Sequence, residues 1–215
     1  MQRTLKHVLL LLALFGIFSS PVLAQEKASA AARPAAPAAV QPAYGEKLHL
    51  AGIHNAGKIG DVLYRGAQPK DAGLAELKKL GITTIVDLRG EDRPKLDWEH
   101  REATALGMRF VHIPVSGWSP PTDAQVAQFL SLFRDDPQQK IFVHCRFGDD
   151  RTGVFVATYR MAIDKWSAEQ AMQEMYFFGF NGFWHPSMKE FIRQFPEHLK
   201  SSPPLASLER RSATP

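Results

Sequence analysis

Cys145 is the one cysteine in a chain of 215 residues, and it stands in the segment Val143-His144-Cys145-Arg146-Phe147-Gly148-Asp149-Asp150-Arg151-Thr152-Gly153. With no second cysteine there is no internal disulfide, so Cys145 is not a structural staple. Free cysteines commonly end as small buried hydrophobes. The alternative is a working thiol, and the neighbouring residues favour it. Arg151 offers a planar, two-pronged cation that matches two oxygens of a tetrahedral oxyanion better than Lys would. Gly148 suits a loop position that needs a positive φ or a close backbone approach. A cysteine beside a fixed cation at a helix N-terminus has its thiolate favoured, with a pKa that falls by units from about 8.5. A thiolate so placed can attack a phosphoryl group and divide hydrolysis into two easier displacements.

Such a loop has to be held by a strand on one side and a helix on the other. Residues 140–144 read as a short buried strand, and the chain turns helical from about Arg151, whose unsatisfied amides and positive dipole end add to the anion site. In that arrangement Thr152 is placed to donate a hydroxyl hydrogen bond to the sulfur. His144 either helps hold the loop by hydrogen bonding or is a satisfied core histidine.

Around this unit strand-like and helix-like stretches alternate. Residues 49–54 and 61–64 look like a strand pair joined through Asn55-Ala56-Gly57. Asp71 is suited to cap a helix bearing Leu74, Leu77 and Leu80, with Gly81 beyond its end. Residues 82–88 are a β-branched strand, 94–106 a charged helix ending at Gly107, and 108–113 the next strand. Thr122 or Asp123 opens a helix with Val126, Phe129, Leu130 and Phe133 on one face. Ser167 and Gln170 form a capping box for another, and 186–198 is a last one. The implied fold is α/β, a central, mostly parallel sheet of about four to five strands flanked by helices on both faces. The cluster Phe177-Phe178-Gly179-Phe180 with Phe183-Trp184 reads as core.

The ends of the chain read differently. Arg3 and Lys6, an apolar run at 8–18 and small residues up to Ala24 have the order of a secretory signal peptide. The apolar run is shorter than the ~20 residues of a spanning helix. Export to the periplasm or beyond, with no stable membrane insertion after removal of 1–24, is the expectation. The formal charge of +4 falls to +2 without that segment, and no Lys/Arg run is interleaved with aromatics, which leaves a nucleic-acid partner without support. Residues 25–45 are an Ala/Pro-rich flexible linker, 46–200 one domain, and 201–215 a flexible polar tail.

His-Cys, five residues, then Arg-Thr-Gly resembles the signature of protein tyrosine and dual-specificity phosphatases. The stretch from Leu63-Tyr64-Arg65-Gly66-Ala67-Gln68-Pro69 through Val86-Asp87-Leu88-Arg89 to Gly153 is similar to small, atypical bacterial members. The resemblance implies a cofactor-free phosphomonoester hydrolase acting on a phosphorylated protein or small phosphoester. Cys145 is its nucleophile and Arg151 its phosphate clamp, with Arg146, Phe147, Gly148, Asp149, Thr152 and Gly153 around the substrate. Members usually carry an acidic residue about thirty positions before the cysteine, and here no Asp or Glu occurs between Glu102 and Asp123. Asp150 is the first candidate acid, with a helix-capping role as its alternative. Asp123 is the second, and it would need the 117–121 loop to fold over the site. Arg65, Arg89 and Trp118 are either structural or substrate-facing. A lipid or inositol phosphatase of the same fold, and a phosphate-binding domain that has lost turnover, are the competing readings. No metal-ligand spacing is visible.

Overall fold

The computed structural model describes residues 43–211. The expected leader at 1–24, and the linker as far as residue 42, lie outside them. Six strands form one sheet: β1 (Glu46–Lys47), β2 (Gly57–Lys58), β3 (Leu63–Ala67), β4 (Thr84–Arg89), β5 (Arg109–Val115) and β6 (Ile141–Cys145). Their spatial order is β1-β2-β3-β6-β4-β5. The pairs β3·β6, β6·β4 and β4·β5 are parallel, and β1 and β2 add an antiparallel edge. The strand that carries Cys145 is therefore central, and all five of its residues are buried.

Helices cover both faces, which is why every residue of β4 and β6 is buried. On one side, α1 (Asp71–Lys79) and α2 (Arg93–Ala105) bury Leu74, Leu77 and Ala103 against Ile85 and Phe142. On the other side lie α3 (Asp123–Asp135), α4 (Asp150–Ala162), α5 (Ala168–Phe177), α6 (Pro186–Ser201) and α7 (Pro203–Arg211). Val86, Leu88, Ile141, Val143 and Cys145 belong to the core there, with Phe129, Phe155 and Ile192. The period of two along β6 sends Cys145 to the α4 side and Phe142 and His144 to the α2 side. Among the described residues, no helix is long and apolar enough to cross a membrane.

Capping follows the residue chemistry. Thr122 with Gln125, and Ser167 with Gln170, form complete capping boxes at the starts of α3 and α5. Four expectations need correction. Residues 49–54 form no strand, only a bridge between Leu50 and Ile53; the true partner of β3 is the short β2 inside the expected connection. Asp71 does not cap α1, because Lys70 occupies that position and its side chain makes no capping bond. Within the expected flexible tail, Pro203–Arg211 form α7, held by buried Leu205 in the core with α3 and α6. Phe178 and Phe180 are core, yet Phe183 is 82 % and Trp184 62 % exposed.

Candidate active site

The turn from β6 into α4 is built around Gly148. Its φ is +79°, and a Cβ there would run into the Gly66–Ala67 backbone. Only glycine lets the loop lie this close to β3. The Gly148 N–H points back to Cys145 and donates to Sγ at 3.3 Å. Its carbonyl faces the other way and accepts from Arg65 Nη2 and from Asn55 Nδ2 at 3.0 Å. Asn55 also donates to the Phe178 carbonyl at 2.8 Å. Arg65 is fully buried with its guanidinium 4.2 Å from the Phe178 ring centre, and its Nε and Nη1 have no hydrogen-bond partner among the described residues. Burial pushes the Arg65 guanidinium down to about 10, against the opposing pull of Cys145, Glu174 and Asp149. Arg65 is thus a structural clamp on the loop, tied to the sulfur through one glycine.

Arg151 is set by a partner that sequence spacing did not indicate. Its two terminal nitrogens donate to the two carboxylate oxygens of Glu91, each at 2.8 Å, and Nη1 also reaches the Val115 carbonyl at 3.3 Å. The bond to Arg151 holds the Glu91 carboxyl down at about 2. Burial lowers Arg151, but Glu91 and Cys145 outweigh it and keep the guanidinium charged. Glu91 takes one edge of the fork, which leaves the Nε edge for an incoming oxyanion.

Asp149 caps α4 by accepting from the Asp150 N–H at 2.9 Å. Asp150 itself turns to the loop after α5: Oδ1 accepts from the Asn181 N–H at 3.0 Å, and Oδ2 lies 3.1 Å from His185 Nε2. Burial, with the Asp149 charge beside it, raises the Asp150 carboxyl above its ordinary value, and the bond from Asn181 and the charges of His185 and Arg151 only partly oppose this. A carboxyl raised in this way holds its proton longer, as a general acid must. The His185 ring stacks on Trp118 at 5.4 Å.

These groups share one pocket of about 480 Å³, lined by Glu91, Gly117, Trp118, Cys145, Arg146, Phe147, Asp149, Asp150, Arg151 and His185. Trp118, 72 % exposed, and Phe147, 61 % exposed, stand at its mouth. Arg146 lies 5.0 Å over the Phe147 ring. Asp149, Asp150, Arg146, Phe147 and Arg151 therefore line one pocket with Cys145. Gly148 shapes the loop from below. Gly153 is in the first turn of α4 and packs beside Met175.

Two expected roles fail. The Thr152 hydroxyl is buried without a hydrogen-bond partner among the described residues and does not bond the sulfur; the backbone N–H of Gly148 does that instead. Asp123 is not in the pocket, because its carboxylate pairs with His198 Nδ1 of α6 at 2.8 Å. Glu91, His185 and Asn55 were missed. Glu91 lies sixty residues from Arg151, and neither carries a local pattern that announces the other.

On the opposite face of the sheet lies a buried charge network. Arg89 donates to Asp87 at 2.6 Å and to Glu99 at 2.9 Å, so its role is structural. His144 Nδ1 lies 3.2 Å from the Cys145 carbonyl, and Nε2 lies 2.7 Å from Glu99 Oε1. Burial alone would lower the His144 imidazole, yet Glu99 and Asp87 overcome it and hold the ring up at about 9. Asp87, Glu99 and His144 come close enough together to hold a cation. Arg89 already bonds both carboxylates and supplies the positive charge there.

A thiol that accepts from the Gly148 amide, an arginine fork and a strand–loop–helix turn in a parallel sheet define a cysteine-based phosphatase of the Cys-x5-Arg class. The family model described as "DSP-PTPase phosphatase fused to NAD+ Kinase" matches residues 53–191, and the chain belongs to that family. It is 32 % identical over 182 residues to the dual specificity protein phosphatase TpbA of Pseudomonas aeruginosa, covering 80 % of this chain and 72 % of that one. It is 30 % identical over 156 residues to a probable chloroplastic NAD kinase 2 of Oryza sativa subsp. japonica, covering 71 % of this chain but 15 % of the relative. Among solved structures, TpbA in complex with pTyr superimposes with a TM-score of 0.59 at 23 % identity, over 72 % of this chain and 91 % of the other. The catalytic core of the PP-IP phosphatase SIW14 from S. cerevisiae gives 0.58 at 19 % identity, over 78 % and 98 %. These two likenesses concern the fold.

Proposed function

We propose that the protein removes the phosphoryl group from phosphotyrosine, and more broadly from phosphoprotein monoesters, through a phosphocysteine on Cys145. The supporting observation is convergence: Cys145 Sγ, the open edge of Arg151 and the proton-retaining Asp150 carboxyl face one pocket. The Cys145 thiolate attacks phosphorus as the ester P–O bond breaks, and Arg151 with the loop N–H groups takes up charge on the equatorial oxygens. Asp150 delivers its proton to the departing oxygen. The resulting carboxylate then accepts a proton from the water that attacks the phosphocysteine, which frees inorganic phosphate and restores the thiolate. His185 and the Asn181 N–H are positioning groups that aim Asp150. Exposed Trp118 and Phe147 flank the opening and suit an aromatic leaving group.

The acids of the loop argue for a single dianionic ester over a densely phosphorylated ring. Glu91 already engages Arg151, and Arg146 is the loop cation without a carboxylate partner among the described residues. The leader-like segment at 1–24 supports action in the periplasm or outside the cell. The decisive measurement is turnover of an aryl phosphate with and without chelator. Cys145→Ser is expected to lower kcat by several orders of magnitude, and chelator to change nothing. Turnover persisting in Cys145→Ser would overturn the mechanism.

A further inference from the structure

A second, larger concavity adjoins the catalytic pocket and shares Arg146 and Phe147 with it as a common wall. Its volume is about 710 Å³. It is formed where the loop after β3 meets the starts of α1 and α2. Trp98, half-buried, provides aromatic surface, and the cations are Lys70, Lys95 and Arg146, against one lining acid, Asp71. Next door the lining acids Glu91, Asp149 and Asp150 stand against the cations Arg146 and Arg151.

We infer that this second pocket is a specificity subsite for an acidic side chain flanking the phosphorylated residue of a peptide substrate. The inference rests on the phosphatase reading and narrows its substrate class. Continuity is one support: Phe147 stands at the mouth of the catalytic pocket, and the wall it forms with Arg146 leads directly into the neighbouring concavity. Charge is the other. The lining has a net excess of cations, and none of Lys70, Lys95 and Arg146 is buried. Lys95 also pairs with Asp92 at 2.7 Å, which offsets part of its charge. A polyphosphorylated ring would need a cation at each phosphate, and much of the wall here is Trp98, Phe147, Pro69 and Ala67 instead. Such walls fit the methylene stem of Glu and the peptide backbone beside it.

The test compares phosphotyrosine peptides that carry Glu on both sides of the phosphorylated residue with matched Gln peptides, using the full chain. Each kcat/KM is divided by that for p-nitrophenyl phosphate, which is too small to span both pockets. The unsubstituted protein is expected to prefer the Glu peptide by about tenfold, the size of one or two partly exposed charge contacts. Lys70→Glu with Lys95→Glu is expected to abolish or invert that preference. Affinities of the same peptides for Cys145→Ser read the subsite without turnover, so failed chemistry and a wrong subsite give different results. Equal handling of Glu and Gln peptides in both measurements would overturn the proposal. So would a preference that survives the double substitution, or one for an inositol polyphosphate over the Glu peptide that the double substitution removes.

Discussion

His144 and Cys145 are consecutive residues on β6 and lie in two opposite environments. Cys145 faces the α4 side, where apolar packing ends at an open, water-reached pocket with mobile chemistry: a sulfur, a fork and a carboxyl that changes protonation. His144 faces the α2 side, where Asp87, Arg89 and Glu99 form a sealed network with essentially no solvent exposure. The two regions use the same kinds of residue for different ends. In the pocket, a carboxyl raised by burial is available to move a proton. In the network, charges neutralise one another and hold the strand that carries the sulfur. An ionisable cluster next to a nucleophile is therefore not by itself catalytic machinery; access to a ligand separates the two.

The largest expected break in this contrast is on the pocket side. Asp150→Asn should lower kcat on an alkyl phosphate by about 100-fold and much less on a nitrophenyl ester, whose leaving group needs no proton. The fall in kcat as pH rises through the Asp150 titration should vanish with it, while Asp123→Asn, which only loses its partner His198, keeps the profile. An Asp150→Asn enzyme with full activity on the poor leaving group would remove the loop acid from the mechanism.

On the network side the expected change is in stability. His144 is raised in the folded state above its unfolded value of about 6.5. Its contribution is therefore complete below that pH and is lost as pH climbs towards about 9. Glu99→Gln should cost about 3 kcal/mol near pH 6, because it leaves Arg89 and His144 short of an anion, and should flatten the decline between pH 6.5 and 9. Denaturant titrations across that range check it; an unchanged slope would mean that His144 is neutral in the fold.

The smallest effect concerns Thr152, buried in the first turn of α4, whose hydroxyl has no hydrogen-bond partner among the described residues. Thr152→Val removes an unpartnered hydroxyl, so stability should stay within about 1 kcal/mol of the parent or rise. A large loss on thermal unfolding would show that the hydroxyl has a partner after all.

Much of the site was legible because it is local. Cys145, Gly148, Asp150 and Arg151 lie within seven residues, and a strand pattern before them with a helix pattern after them suffices to bring them together. The capping boxes at Thr122 and Ser167 were legible for the same reason, since each is a contact over three residues. Glu91, Asn55 and His185 were not, because their partners lie 60, 93 and 35 positions away and nothing in their neighbours marks the pairing. The placement of Phe183 and Trp184 also failed: an apolar cluster reads as core until the fold shows that only Phe178 and Phe180 reach it.

By itself, then, the sequence pointed to the Cys145-to-Arg151 loop, the alternation of strands and helices, and the gap where an upstream acid would stand. The tertiary structure decided what these residues do to one another. It set Arg151 on Glu91, tied the loop to buried Arg65 through Gly148, and placed Asp150 rather than Asp123 in the pocket that holds Cys145. The physical reason is range: local spacing fixes backbone conformation and hence the loop, whereas desolvation and charge pairing depend on which distant segments the packed sheet brings alongside it.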